Sequence, residues 1–168
     1  MKNLLACLLA VICIACGVYD VKDVIQTEES GHISTGIDPE LQPFVDDFMR
    51  DCEARRTDCA KRMDRIKSIK LVDMPDLDKS DDEAVIGLCY DRPFTRRIEI
   101  SKDIMDKPNL YIKVLMYHEI GHCAYGLDHE TVPDAIMSPV MPSFVLLLRD
   151  WQLLLADFFV TIAQKHGD

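Results

Sequence analysis

Residues 118–129 read HEIGHCAYGLDH, and more can be inferred about fold and chemistry from this stretch than from any other. On a helix, His118 and His122 are four positions apart, so their imidazoles point the same way, one turn apart. Apolar residues at helical spacing before them predict such a helix, and Gly126 is expected to end it. A glycine turn there can reverse the chain and return a third imidazole, His129, to the first two.

These side chains predict a zinc site. Neutral imidazoles bind Zn²⁺ well, and three of them leave a fourth position open to a water molecule, whose pKa then falls toward about 7. Glu119 would accept a proton from that water as general base and would not bind the metal. Two plainer interpretations stay open: a helix with two exposed histidines and an ion-paired glutamate, and a structural or inactive zinc site.

The segment that extends to residue 139, HEIGHCAYGLDHETVPDAIMSP, resembles the metzincin clan of zinc metallopeptidases, and its matrixin-like members in particular. The shared features are two helix histidines, a glycine turn, a third histidine and a methionine turn, called the Met-turn. This resemblance implies a zinc-dependent peptidase with a role for each matching residue. The implied roles are zinc ligands at His118, His122 and His129, the general base at Glu119, the turn at Gly126, and Met137 beneath the metal.

The segment departs from the clan pattern by one residue, inserted before the turn. Gly126 and His129 follow His122 by four and seven positions, where the clan has three and six. Without a gap, Asp128 would occupy the place of the third ligand. The ligand preference of zinc and the intact spacing from Gly126 onward favour His129. No tyrosine follows Met137, so the oxyanion stabiliser stays unassigned.

Residues 38–142 resemble, more loosely, small metallopeptidase-like lipoproteins of bacteria, with an Asp-Pro helix start, a Gly-Leu-Cys-Tyr strand and an HExGHC motif. That resemblance implies a peptide or protein substrate. It also implies that residues 85–90 form an edge strand to which an extended substrate adds, although an interior strand is equally compatible with the sequence. We expect peptide-bond hydrolysis. The alternatives are an inactive zincin-like binding lipoprotein and a zinc hydrolase of cell-wall peptide amides.

The amino terminus has the composition of an export signal. Residues 1–15 combine Lys2 with an apolar run of twelve residues, which is short for a bilayer span. The sequence up to Cys16 resembles a bacterial lipobox, which implies a lipid on that cysteine and a membrane tether over residues 16–37. The domain would then face the periplasm or the cell exterior; an ordinary cleaved signal and an uncleaved anchor are the alternatives. The formal charge of −10 argues against a nucleic-acid partner.

The remaining chain, residues 38–168, is expected to form one zincin-like α+β domain, since 48% of all residues are hydrophobic and 29% are charged. Asp38 is expected to cap a helix over about 39–55. Pro108 is expected to begin the zinc-binding helix, and Ser143 a final helix with an apolar stripe, with the Met-turn between these two helices. Short strands over residues 66–72, 85–90 and 97–101 predict a small mixed sheet.

Four cysteines lie in that domain, and an oxidising exterior allows two disulfides in three possible pairings. Cys89 with Cys123 is the favoured pair, because it would join a strand to the helix of the histidines. Cys52 would then bond to Cys59. In one continuous helix those two residues lie about 10 Å apart, beyond the roughly 7 Å that a disulfide allows, so the first helix must end between them.

Overall fold

The computed structural model describes residues 36–74, 85–92 and 95–167. Contacts divide the chain into two units, Met1–Gly31 and His32–Asp168, and all described residues belong to the second. The expected signal peptide, the expected lipid-bearing Cys16 and nearly all of the expected tether lie outside the described residues.

In the described part of the chain, three strands form a mixed sheet in the order β1-β3-β2. The strands are β1, Ile66–Val72; β2, Gly87–Tyr90; and β3, Arg96–Ser101. Ile98 of β3 lies opposite Ile69 in the parallel pairing with β1, and opposite Cys89 in the antiparallel pairing with β2. The small mixed sheet is therefore confirmed. Among the described strands β2 lies at an edge of this sheet, which is one of the two placements that the sequence left open.

The described residues also form four α-helices and one 3₁₀ helix. The α-helices are α1, Gln42–Glu53; α2, Cys59–Met63; α3, Asn109–Tyr125; and α4, Phe144–His166; the 3₁₀ helix spans Lys102–Asp106. Of these, α3 is the helix that contacts β2 and β3 most. α1, α3 and α4 correspond to the predicted helices, whereas α2 and the 3₁₀ helix were not predicted. Ser143 caps α4 as expected, since its hydroxyl accepts a hydrogen bond from the amide of Leu146. The mixed α+β class predicted from the sequence is confirmed.

The predicted start of α1 is wrong. The helix begins at Gln42, and Leu41 occupies the N-cap position without a side-chain cap. The carboxylate of Asp38 instead accepts hydrogen bonds from Lys70 Nζ at 2.7 Å and from the amide of Leu71 at 2.8 Å. The bond from Lys70 is the main reason that the pKa of Asp38 lies below its usual value. Asp38 therefore joins the chain before α1 to β1, a long-range contact that local sequence does not show.

α3 is the most buried element of the unit. It contacts β2, β3, α1, α2 and α4, so most of its residues are excluded from water. On the α1 side, the ring of Phe48 lies 5.1 Å from that of Tyr117 and 6.5 Å from that of Phe158 of α4, measured between centroids. The exposed side chains of α3 are therefore held by a closely packed helix.

Both favoured disulfides are present. Cys52–Cys59 closes the turn between α1 and α2, with Cα atoms 6.0 Å apart, and α1 ends at Glu53 as this pairing requires. Cys89–Cys123 joins β2 to α3, with Cα atoms 5.5 Å apart. Two disulfides indicate an oxidising, exported environment. Among the described residues, no helix combines the length and the apolarity that crossing a membrane requires.

Candidate metal centre

The end of α3 and the turn after it bring the three predicted imidazoles together. His118 and His122 lie one helical turn apart. Gly126 ends the helix in the left-handed conformation with φ at 64°, and the amide of Leu127 donates to the carbonyl of Gly121 at 3.0 Å. Only glycine adopts this φ without strain, and the bond across the turn satisfies a carbonyl at the helix end. The reversed chain then carries His129 back to the helix histidines.

The three imidazoles converge through their Nε2 atoms. His118 Nε2 lies 3.0 Å from His122 Nε2 and 3.2 Å from His129 Nε2, and one ligand atom from each ring lies within 4.8 Å of the others. Nitrogens that share a tetrahedral zinc ion are about 3.3 Å apart, so the spacing fits a metal of that size. His118 is 9% exposed, while His129 is open to solvent, so the cluster is accessible from one side.

Hydrogen bonds at the other ring nitrogen fix how two of these imidazoles point. His118 Nδ1 lies 2.7 Å from the carbonyl oxygen of Ile136, and His122 Nδ1 lies 2.6 Å from that of Leu127. A carbonyl accepts only, so each Nδ1 carries the proton and each Nε2 presents a lone pair. Two lone pairs 3.0 Å apart repel each other, and a cation between them removes that repulsion. The donor set therefore fits a metal ion.

The charge state of the rings agrees with metal binding. Burial lowers the pKa of His118 to about 4 and also lowers the pKa of His122. Both imidazoles are therefore neutral at pH 7, the form in which histidine binds metals.

Asp128, the alternative third ligand, points elsewhere. Its carboxylate pairs with Lys165 Nζ at 3.1 Å, and its side chain is 94% exposed. The group of described residues that could hold a metal consists of His118, His122 and His129 and does not include it. The geometry thus favours His129, in agreement with the choice made from the sequence.

Glu119 lies beside this cluster and is 4% exposed. It lines the same cleft as the three histidines, a space of about 740 Å³ bordered by β2, α3 and the segments around residues 126–129 and 138–141. Burial raises the pKa of its carboxyl to about 8. Among the residues that the structure describes, none hydrogen-bonds to this carboxylate.

Met137 packs against α3 at Gly121. It is 1% exposed, and a Cβ added at Gly121 would stand 2.7 Å from its sulfur atom and 3.1 Å from Phe158 Cε2. The backbone before it also contributes, since the Ile136 carbonyl holds His118 Nδ1. The segment that the resemblance identifies as a Met-turn thus supports one of the three imidazoles.

Two glycines of the site were not singled out from the sequence. Gly121 lets Met137 approach α3, and Gly87 on β2 lies against Glu119. A signal existed for Gly121, because a glycine inside a helix costs about 1 kcal/mol relative to alanine and often indicates close packing. A signal existed for Gly87 too, because a glycine inside a predicted strand often indicates a close approach, but the sequence did not show that Glu119, distant in the chain, is the partner.

A mixed α+β fold with a three-histidine cluster able to bind a metal ion is the class that these observations define. Comparison of the chain with protein-family models, with curated proteins and with solved structures gives no match. The nature of the metal and the activity are therefore inferred from the site alone.

Proposed function

We propose that this protein is an exported zinc-dependent metalloendopeptidase. The observation that carries the proposal is the convergence of three imidazole Nε2 atoms, two of them 3.0 Å apart with their lone pairs facing, in the cleft that also holds a buried glutamate. Three histidine ligands with one open position are typical of catalytic zinc, whereas structural zinc is closed by four protein ligands.

Each of the four site residues would have a separate role in hydrolysis. His118, His122 and His129 would hold the ion, and bound zinc would supply Lewis acidity that polarises the scissile carbonyl and lowers the pKa of the attacking water. Glu119 would take a proton from that water at its carboxylate and deliver it to the departing amine. Its buried position supports this role, because burial raises the pKa of a carboxyl and so makes its carboxylate a stronger base.

A peptide is the substrate that suits this cleft. β2 is an edge strand of the sheet, and residues 85–89 line the cleft beside Glu119. An edge strand has unpaired backbone groups, so an extended peptide can add to it as a further strand and cross the metal site.

The expected membrane attachment is part of the same proposal. We expect a lipid on Cys16, followed by a tether that keeps the catalytic domain outside the cytoplasm, and the two disulfides support export. Metabolic labelling with a radioactive fatty acid tests this attachment. Label on the wild type and none on Cys16→Ala is the expected result, and equal label on both would contradict it.

The activity is tested with zinc-loaded protein on a mixed panel of unfolded proteins, peptides and cell-wall peptides. Glu119→Gln should keep about one zinc per chain and lose about 10²- to 10⁴-fold in kcat, the usual contribution of a general base. Glu40→Gln is the matched control, because Glu40 is an exposed glutamate outside the cleft. Full activity in Glu119→Gln would contradict the mechanism. Zinc binding without turnover would favour the inactive binding lipoprotein.

A further inference from the structure

β2 and α3 contact each other at two matched points. Gly87 faces Glu119, and two residues later Cys89 is bonded to Cys123, four residues after Glu119. Two residues of a strand rise about 6.6 Å and four residues of a helix about 6 Å, so the two points stay in register when strand and helix run the same way. The disulfide therefore fixes which residue of β2 lies opposite the glutamate.

A side chain at that point would meet the ends of two neighbouring side chains, Glu119 and Leu115, which would have to shift. A Cβ at Gly87 would lie 2.6 Å from Glu119 Oε1, 3.0 Å from Glu119 Cδ and 2.9 Å from Leu115 Cδ1. The backbone does not require glycine, because among the described glycines only Gly126 and Gly167 have positive φ. What glycine provides at position 87 is space, and the carboxylate of Glu119 fills it.

We infer that Gly87 is a positioning residue for Glu119, kept in place by the Cys89–Cys123 disulfide. The inference rests on the proposed role of Glu119 as general base. The carboxylate of Glu119 packs against β2 at Gly87, since a Cβ added there would stand 2.6 Å from its Oε1. A methyl group at position 87 would force the carboxylate of Glu119 to move, and none of the three atoms nearest to the added Cβ belongs to a proposed metal ligand.

The first test measures kinetics of zinc-loaded Gly87→Ala. We expect kcat to fall by about 10- to 100-fold, because a misplacement of about 1 Å costs up to 10²-fold, while KM and zinc content stay within about twofold. Gly36→Ala is the matched control: its added Cβ would lie 2.5 Å from the Lys67 carbonyl, outside the cleft. It should lower the melting temperature and leave kcat per bound zinc unchanged. A Gly87→Ala enzyme with wild-type kcat would overturn the inference.

The second test does not depend on catalytic activity. If the wild type hydrolyses nothing, the proposed function is refuted, but this test still decides whether Gly87 packs against Glu119. It compares the effect of Gly87→Ala on the melting temperature in the wild type and in Glu119→Ala, with and without zinc. We expect a fall of about 3 °C or more in the wild type and a clearly smaller fall once the carboxylate is removed, the remainder coming from Leu115 Cδ1 at 2.9 Å. Equal falls in both backgrounds would show that Gly87 does not pack on Glu119 and would overturn the inference.

Discussion

The two disulfides should contribute unequally to stability, and the difference follows from the lengths of chain they close. Cys89–Cys123 spans 34 residues and Cys52–Cys59 spans 7. In the chain-entropy model a cross-link lowers the entropy of the unfolded state by an amount that grows with the logarithm of the loop length. This gives about 3.8 kcal/mol for the long loop and about 2.4 kcal/mol for the short one, a difference of about 1.4 kcal/mol.

Each disulfide is removed by a double alanine variant: Cys89→Ala with Cys123→Ala, and Cys52→Ala with Cys59→Ala. Each removes two sulfur atoms, so the loss of side-chain volume is the same. Cys52 and Cys59 are both fully buried, whereas Cys89 is only partly buried, so a packing effect would oppose the expected order.

The assay is urea unfolding followed by circular dichroism, with the free energy of unfolding extrapolated to water. We expect the variant without Cys89–Cys123 to be the less stable of the two by about 1 kcal/mol or more. If the variant without Cys52–Cys59 is no more stable than the variant without Cys89–Cys123, loop entropy in the unfolded state is not the main contribution of these bonds.

Two further predictions concern the packing of Met137 against α3 and the stability of the fold in acid. Gly121→Ala should destabilise the protein by about 1–3 kcal/mol in urea unfolding although alanine favours helices, since the new methyl group would stand 2.7 Å from the sulfur of Met137; a more stable variant would contradict this. The Asp58 carboxyl accepts hydrogen bonds from two arginines, chiefly Arg56, which lower its pKa to about 2. It therefore stabilises the fold above pH 3.8, and this is lost as the pH falls toward 2. After allowance for its partial exposure, we expect this carboxylate to contribute about 1 kcal/mol to the free energy of unfolding. The free energy of unfolding should therefore change less between pH 5 and pH 2 in Asp58→Asn than in the wild type, and an equal change in both would contradict this.

Much of the site could be predicted because its information is local. The i,i+4 spacing of His118 and His122 places two imidazoles on one face of any helix, and Gly126 permits the turn that returns His129. The pairing of Cys52 with Cys59 likewise required only that α1 end between them, which it does. In each case the residues concerned are close in sequence, so spacing alone constrains geometry.

The remainder depends on contacts between distant residues. Asp38 matches a helix cap by sequence, but its carboxylate accepts from Lys70 and Leu71 of β1 instead. The position of β2 at the sheet edge follows from strand order, which the alternation of side chains does not encode. The need for a small residue at Gly87 follows from its contact with Glu119. These three features depend on tertiary packing between segments that are distant in the sequence.

Zinc content per chain is the measurement that decides whether three histidines hold one zinc ion. Purified protein is loaded with zinc, dialysed and analysed for metal as the wild type, as His129→Ala and as Asp128→Ala. We expect about one zinc per chain in the wild type and in Asp128→Ala, and a large loss in His129→Ala. Correctly folded wild-type protein that binds no zinc would show that the three histidines do not form a zinc site. Loss of zinc in Asp128→Ala with retention in His129→Ala would show that Asp128 is the third ligand.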